Sequence, residues 1–179
     1  MRKTFGVFLA VATLLSVVVM TSPGGAAAAT PTCNAAKGTF AFSPTLPAGL
    51  PGVLSNLSSA GTVASCSGGG VTSGKTSFKQ TVKSTTKSSC TSLAKPTGKP
   101  TTGSFVITWN NGKTSTASKF NVTQSTKTIT NATTTGKITA GLFVGKSITG
   151  SVTFTLKTAG GKCLGGTYVN TKGVKFVIK

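Results

Sequence analysis

The chain has 179 residues, and none of them is aspartate, glutamate or histidine, whereas 19 are lysine or arginine. Carboxylates and imidazoles supply most general acids and bases, the usual catalytic triads and most metal ligands. Without them, the composition predicts a protein that is not an enzyme and that holds no metal or other cofactor. These are also the side chains whose charge normally changes between about pH 2 and pH 8. Acidification over that range should therefore leave the side-chain charge unchanged.

Three short enzyme-like motifs occur without the features that normally accompany them. Residues 69–76 read GGVTSGKT, which matches the phosphate-binding pattern G-x-x-x-x-G-K-[ST]. That loop requires a helix after it, whereas the segment that follows, SFKQTVKSTTKSS, has the composition of a strand. The S-x-x-K pattern of penicillin-interacting enzymes occurs at 84–87 and 92–95 without its companion motifs. Because glycine, serine, threonine and lysine are abundant here, we interpret all three matches as accidental.

The N-terminal segment has the order of a secretory signal peptide. Two basic residues at positions 2–3 precede an apolar run at 5–20, and an A-x-A cleavage site ends at Ala29. The run is shorter than the ~18 residues that a membrane-spanning helix needs, so a retained anchor is the weaker alternative. We predict a signal peptide over 1–29 and one secreted domain over 30–179. The protein should be extracellular or associated with the cell wall, with no transmembrane segment after cleavage.

The chain has four cysteines, and all of them follow the predicted cleavage site: Cys33, Cys66, Cys90 and Cys163. An even number of cysteines in an exported protein predicts two disulfides. Their spacing alone leaves three pairings open. A zinc site is the alternative, but the chain has neither a C-x-x-C pair nor a histidine to support it.

Apolar and polar residues alternate with a period of two in several segments, which is typical of half-buried strands. Asn111-Gly112 favours a tight hairpin turn, and the proline-rich segment 43–52 is interpreted as a loop or an edge crossing. We predict an all-β fold, a single antiparallel β-sandwich of the immunoglobulin-like or jelly-roll-like kind, with two disulfides. The residues expected to share a face are Phe40 and Phe42; Phe105, Ile107 and Trp109; Val152, Phe154 and Leu156; and Val174, Phe176 and Ile178.

Four lysines recur at every fourth position: Lys75, Lys79, Lys83 and Lys87. In a strand this spacing places all four on one face, with neighbours about 13 Å apart. One interpretation is a track that binds a polyanion. The other is a solvated face that blocks aggregation.

Two functions fit these features best, since no amphipathic helix supports a third, a toxin or antimicrobial that acts on anionic membranes. The first is non-enzymatic binding of an anionic cell-envelope polymer, such as teichoic acid or an acidic polysaccharide, through the lysine row. The alternative is a carrier or inhibitor that binds a small molecule or a partner protein, with the charge serving only solubility. Trp109 and the phenylalanines fit a cavity lining or a core, and their alternation favours the core. Nucleic acid, the common partner of a basic chain, is not expected as the physiological ligand of an exported protein.

Motifs throughout residues 30–179 resemble those of small secreted actinobacterial β-sandwich proteins that have four cysteines and no established activity. They are GTFAFSPTL after the first cysteine, SAGTVASCSGGGVTSG around the second, SSCTSLA at the third, and GSFVITWNNGKTSTASKFNVT and GKITAGLFVGKSITGSVTFTL before the fourth. The resemblance implies that Cys33 pairs with Cys66 and Cys90 with Cys163. It implies no catalytic residues. This chain departs from the pattern in its complete lack of acidic residues.

Overall fold

The structure is a computed structural model that describes residues 29–81, 87–93, 98, 100–127 and 130–179. Residues 1–28 of the predicted signal peptide lie outside these ranges. Among the described residues, no helix has the length and apolar character needed to cross a membrane. The elements in chain order are β1 (Thr32–Pro47), β2 (Asn56–Ser67), β3 (Gly74–Gln80), α1 (Cys90–Leu93), β4 (Pro100–Trp109), β5 (Thr114–Gln124), β6 (Asn131–Lys137), β7 (Ala140–Gly141), β8 (Ser147–Ala159), β9 (Lys162–Asn170) and β10 (Phe176–Ile178).

The strands form one antiparallel sheet that closes on itself as an eight-stranded barrel. The order around the barrel is β1-β2-β3-β4-β5-β6-β8-β9. Strand β9 pairs back with β1, from Lys37 opposite Val169 to Pro47 opposite Lys162. The predicted β-sandwich is therefore wrong, whereas the all-β fold with two disulfides is confirmed.

The length and pairing of β1 explain why a barrel forms. This strand has 16 residues, and it pairs with β2 along one edge and with β9 along the other. Its last part, 43–47, belongs to the proline-rich segment for which the sequence predicts a loop or an edge crossing. The register of the pairing between β1 and β9 shifts between Ala41 and Leu46. Such shifts bend and twist a strand. A sheet that bends in this way can join its two edges.

The eighth position of the barrel is filled by β9 and β10, placed end to end. β9 pairs with the later part of β1, whereas β10 pairs with the start of β1 at Thr32 and Cys33 and with the start of β8 at Ile148 and Thr149. Residues 171–175 connect the two strands. We call the end of the barrel that holds β10 the closed end and the opposite one the open end.

The closed end is filled by a compact core around Trp109. The indole Nε1 of Trp109 donates to Ser115 Oγ at 2.8 Å, and the Ser115 hydroxyl donates in turn to the Leu142 carbonyl. The Trp109 ring also packs edge-on against Phe143, with ring centroids 5.7 Å apart. Trp109 is 2% exposed and Ile107 is fully buried. Trp109 is thus a core residue, as its alternation predicts.

The tight turn predicted at Asn111-Gly112 joins β4 to β5. The Trp109 amide donates to the Lys113 carbonyl at 2.8 Å, and the Gly112 amide donates to the Trp109 carbonyl at 3.0 Å. Gly112 has a φ of 77°, a backbone conformation that favours glycine. The hairpin prediction is confirmed.

Two disulfides join Cys33 to Cys66 and Cys90 to Cys163. This is the pairing that the resemblance implies. The first links β1 to β2 at directly paired positions, and the second links α1 to β9. With all four cysteines paired, the described residues contain no group of three or more potential ligands that could hold a metal ion.

Candidate functional site

The interior between the closed-end core and the open end is a cavity of about 810 Å³. Pockets that bind small molecules have volumes of roughly 300–1,000 Å³. Side chains from all eight barrel strands line the cavity, together with residues of the segment 87–93. Trp109 does not line it. The barrel thus has a filled half and an unfilled half.

Four phenylalanines form the floor of the cavity: Phe78, Phe105, Phe120 and Phe176. Phe105 and Phe120 are stacked with ring centroids 4.3 Å apart. Phe78 lies 6.1 Å from Phe120, and Phe176 lies 6.2 Å from Phe105. Each of the four is at most 6% exposed. This aromatic floor separates the cavity from the closed-end core.

The apolar side chains above the floor also line the cavity, but they are only half-buried. Phe40 packs edge-on against Phe42 and Phe154, with centroid distances of 5.7 and 6.0 Å. Leu57 and Val122 line the cavity as well, and all five residues are of intermediate exposure. In a filled core such side chains would be fully buried, as those of the floor are. Their remaining exposure faces the cavity, so the barrel offers unfilled apolar surface.

A row of directly paired residues brings two hydroxyl groups into this apolar wall. Tyr168 pairs with Gly38, Gly38 with Gly61, and Gly61 with Thr76. The Tyr168 side chain lies across the two glycines, because a Cβ atom at either position would meet its hydroxyl. Tyr168 and Thr76 both line the cavity. Their hydroxyls can therefore form hydrogen bonds with a ligand and fix its orientation.

The segment 87–93 lies over part of the open end and is held there by contacts with three parts of the barrel. It forms a β-bridge with the loop between β1 and β2. The Cys90–Cys163 disulfide fixes it to β9. The side chain of Gln124, on β5, donates from Nε2 to the Leu93 carbonyl at 2.8 Å. Access to the cavity is therefore shaped by a short, covalently anchored element.

The open end also carries polar side chains. Lys87 is exposed and is the one lysine among the described residues that line the cavity. Gln80 lies at the end of β3, and its Oε1 accepts a hydrogen bond from the Leu57 amide at 2.9 Å. This bond leaves the side-chain NH₂ group of Gln80 as a donor. The cavity is thus aromatic at its floor and cationic at its opening.

The structure places the four lysines of the predicted row in different settings. Lys75 and Lys79 are exposed on the outer wall of β3. That strand ends at Gln80, so it does not carry Lys87, which lies at the opening of the cavity. Lys83 lies outside the described residues. The strand therefore presents two of the four lysines on one face.

A third lysine joins these two on the outer wall through the fold. Lys37 on β1 pairs with Thr62, and Thr62 pairs with Lys75. Adjacent strands lie about 4.8 Å apart, so Lys37 and Lys75 are on the order of 10 Å apart. Lys37, Lys75 and Lys79 are all exposed, and we call them the outer lysine cluster. The four-residue spacing of the lysine row does not include Lys37, because Lys37 lies on a different strand.

Comparison with protein-family models, with curated proteins and with solved structures gives no match. The resemblance to secreted actinobacterial proteins therefore stays a prediction.

Proposed function

We propose that this protein is an exported, non-enzymatic binding protein that holds one small apolar molecule inside its barrel. The observation that carries the proposal is the half-buried state of Phe40, Phe42 and Phe154, which line a closed barrel that they do not fill. Burial of apolar surface is favourable by about 25 cal/mol per Å². An apolar guest in contact with these rings would gain that free energy. Of the two functions that the sequence suggests, the geometry therefore favours the small-molecule carrier.

Export is part of the proposal, and two features support it. The segment 1–29 has the order of a signal peptide. Both cysteine pairs are disulfides, and disulfides persist mainly in oxidising compartments outside the cytosol.

Adjacent serines on β2 allow a matched test of the cavity. Ser59 lines the cavity between Phe40 and Phe78 on the neighbouring strands. Ser58 is exposed and points to the outer wall. We expect Ser59→Phe to lower the affinity for the neutral fluorescent probe phenylnaphthylamine by about tenfold or more, because a phenyl ring would occupy the space of the probe. Fluorescence titration of the purified protein measures this affinity.

The control is Ser58→Phe, which adds the same ring to the other side of the same strand. It should bind the probe as the native protein does. Circular dichroism and the emission of Trp109, the single tryptophan, would check that both variants are folded. Absence of probe binding to the native protein, or equal binding by the two variants, would refute the proposal.

A second candidate function is the binding of an anionic polymer of the cell envelope. The outer lysine cluster favours it, since Lys37, Lys75 and Lys79 are exposed within about 10–16 Å of one another. No side-chain carboxylate exists in the chain to neutralise them. A polyanion would contact this wall and leave the cavity free.

Sedimentation with purified cell walls across a salt series tests this second function. Binding should fall with increasing salt, because exposed charges are screened over about 10 Å at 0.1 M ionic strength. Changing all three cluster lysines to glutamine should weaken binding about tenfold, since exposed ion pairs are each worth about 0.2–1 kcal/mol. The control of equal charge is the triple variant Lys172→Gln, Lys175→Gln, Lys179→Gln. Equal losses in the two triple variants would mean that net charge, rather than the cluster, determines binding.

A further inference from the structure

We infer that the ligand of the cavity is an anionic amphiphile, with its apolar part against the aromatic floor and its charged head beside Lys87. The inference rests on the proposed function, because it assumes that the cavity is occupied. It adds the chemical class of the ligand and its direction in the barrel.

The orientation of the ligand follows from the change in polarity between the floor of the cavity and its opening. The floor consists of aromatic rings that are at most 6% exposed, and the nearby hydroxyl groups of Thr76 and Tyr168 are uncharged. At the open end, Lys87 and Gln80 line the cavity along with Ser88 and Ser92. A ligand with one polar end gains most when its apolar part reaches the floor and its polar end stays at the opening.

The sign of the head group follows from the donors at the opening. The Lys87 ammonium group has three N–H donors and cannot accept a hydrogen bond. The NH₂ group of Gln80 adds two more donors. A carboxylate, sulfonate or phosphate group accepts such bonds, and hydrogen bonds between charged partners are roughly twice as strong as neutral ones. An ammonium head would instead be repelled by Lys87.

Lys87 has no carboxylate side chain to pair with, because the chain contains neither aspartate nor glutamate. An anionic ligand would therefore replace no existing ion pair when it binds. Lys157 and Lys162 are exposed on the β8–β9 hairpin, which belongs to the open end, and they add positive potential there. Such a potential increases the rate at which an anion reaches the opening.

Two fluorescent probes separate the contribution of the charge from that of the cavity. Anilinonaphthalene sulfonate carries the aromatic skeleton of phenylnaphthylamine plus one sulfonate. We expect the native protein to bind the sulfonate about threefold to fivefold more tightly than the neutral probe, as one ion pair with the exposed Lys87 provides. Lys87→Gln should remove this difference by weakening the binding of the sulfonate. Lys75→Gln, on the outer wall, is the control of equal charge and should change neither affinity.

Ser59→Phe identifies where the sulfonate binds. It should weaken the binding of both probes, because both are expected to occupy the same space. Sulfonate binding that survives Ser59→Phe, or that falls equally in Lys75→Gln and Lys87→Gln, would show surface binding and would overturn the inference. Equal affinity of the native protein for the two probes would overturn it as well and would leave the proposed function standing. If neither probe binds, the proposed function itself fails.

Discussion

Removal of the Cys90–Cys163 disulfide is expected to lower the free energy of unfolding by about 4 kcal/mol, as the loop-entropy relation gives for this separation. The bond joins residues 73 positions apart, so it restricts a long stretch of the unfolded chain. In the folded protein it fixes the segment 87–93 to β9. The double variant Cys90→Ala, Cys163→Ala should therefore have a lower free energy of unfolding. Its segment 87–93 should also be held less firmly at the opening of the cavity.

Denaturant unfolding followed by Trp109 emission measures the first effect, because Trp109 is buried at the closed end. Probe titration measures the second. The matched control is Cys33→Ala, Cys66→Ala, which removes a bond between directly paired positions of β1 and β2. The control should lose stability too, but its folded fraction should bind the neutral probe with native affinity. A stability loss below about 1 kcal/mol in the first variant would contradict the loop-entropy argument.

Gly61→Ala should destabilise the wall of the cavity strongly, with an expected loss of about 3 kcal/mol in the free energy of unfolding. A Cβ atom at this position would overlap the backbone carbonyl of Lys37 and the hydroxyl of Tyr168. The carbonyl belongs to the neighbouring strand and cannot move without displacing β1. The wall can accommodate the added methyl only by breaking the pairing between β1 and β2.

The control for this prediction is Gly49→Ala, at a position where an added Cβ meets nothing within 4 Å and where φ is not positive. That change should alter stability by no more than about 0.5 kcal/mol. Parallel denaturant titrations of the two variants measure the difference. Similar midpoints for both would show that β1 and β2 can separate at Gly61 at little cost.

The sequence predicts the strands better than it predicts their arrangement. The burial of Phe105, Ile107 and Trp109 follows from their period-two spacing, and the turn at Asn111-Gly112 follows from local backbone preference. A sandwich and a barrel share the same alternation of inward and outward residues. The pairing of β9 with β1 distinguishes the barrel from a sandwich. Pairing between distant segments leaves no local signal in either one.

The sequence suggests a cavity only as one of two possible roles for its aromatic residues, the other being a filled core. Alternation identifies Phe40 and Phe154 as inward-facing residues, but it carries no information on whether the enclosed volume is filled. The lysine pattern has the same limitation. It groups residues by their spacing along one strand, so it includes Lys87, which lies beyond the end of β3, and omits Lys37, which lies two strands away.

The pairing that closes the barrel also determines when the cavity can exist. Lys37 on the first strand has to find Val169 on the ninth, so the two ends of the ring meet only after almost the whole chain is available. Proteins dominated by such distant contacts fold in milliseconds to seconds rather than microseconds. Until then the chain carries positive charge without a single acidic side chain, and mutual repulsion keeps it expanded. The unfolded protein should therefore be slow to collapse and resistant to self-association, and both properties would suit the export proposed above.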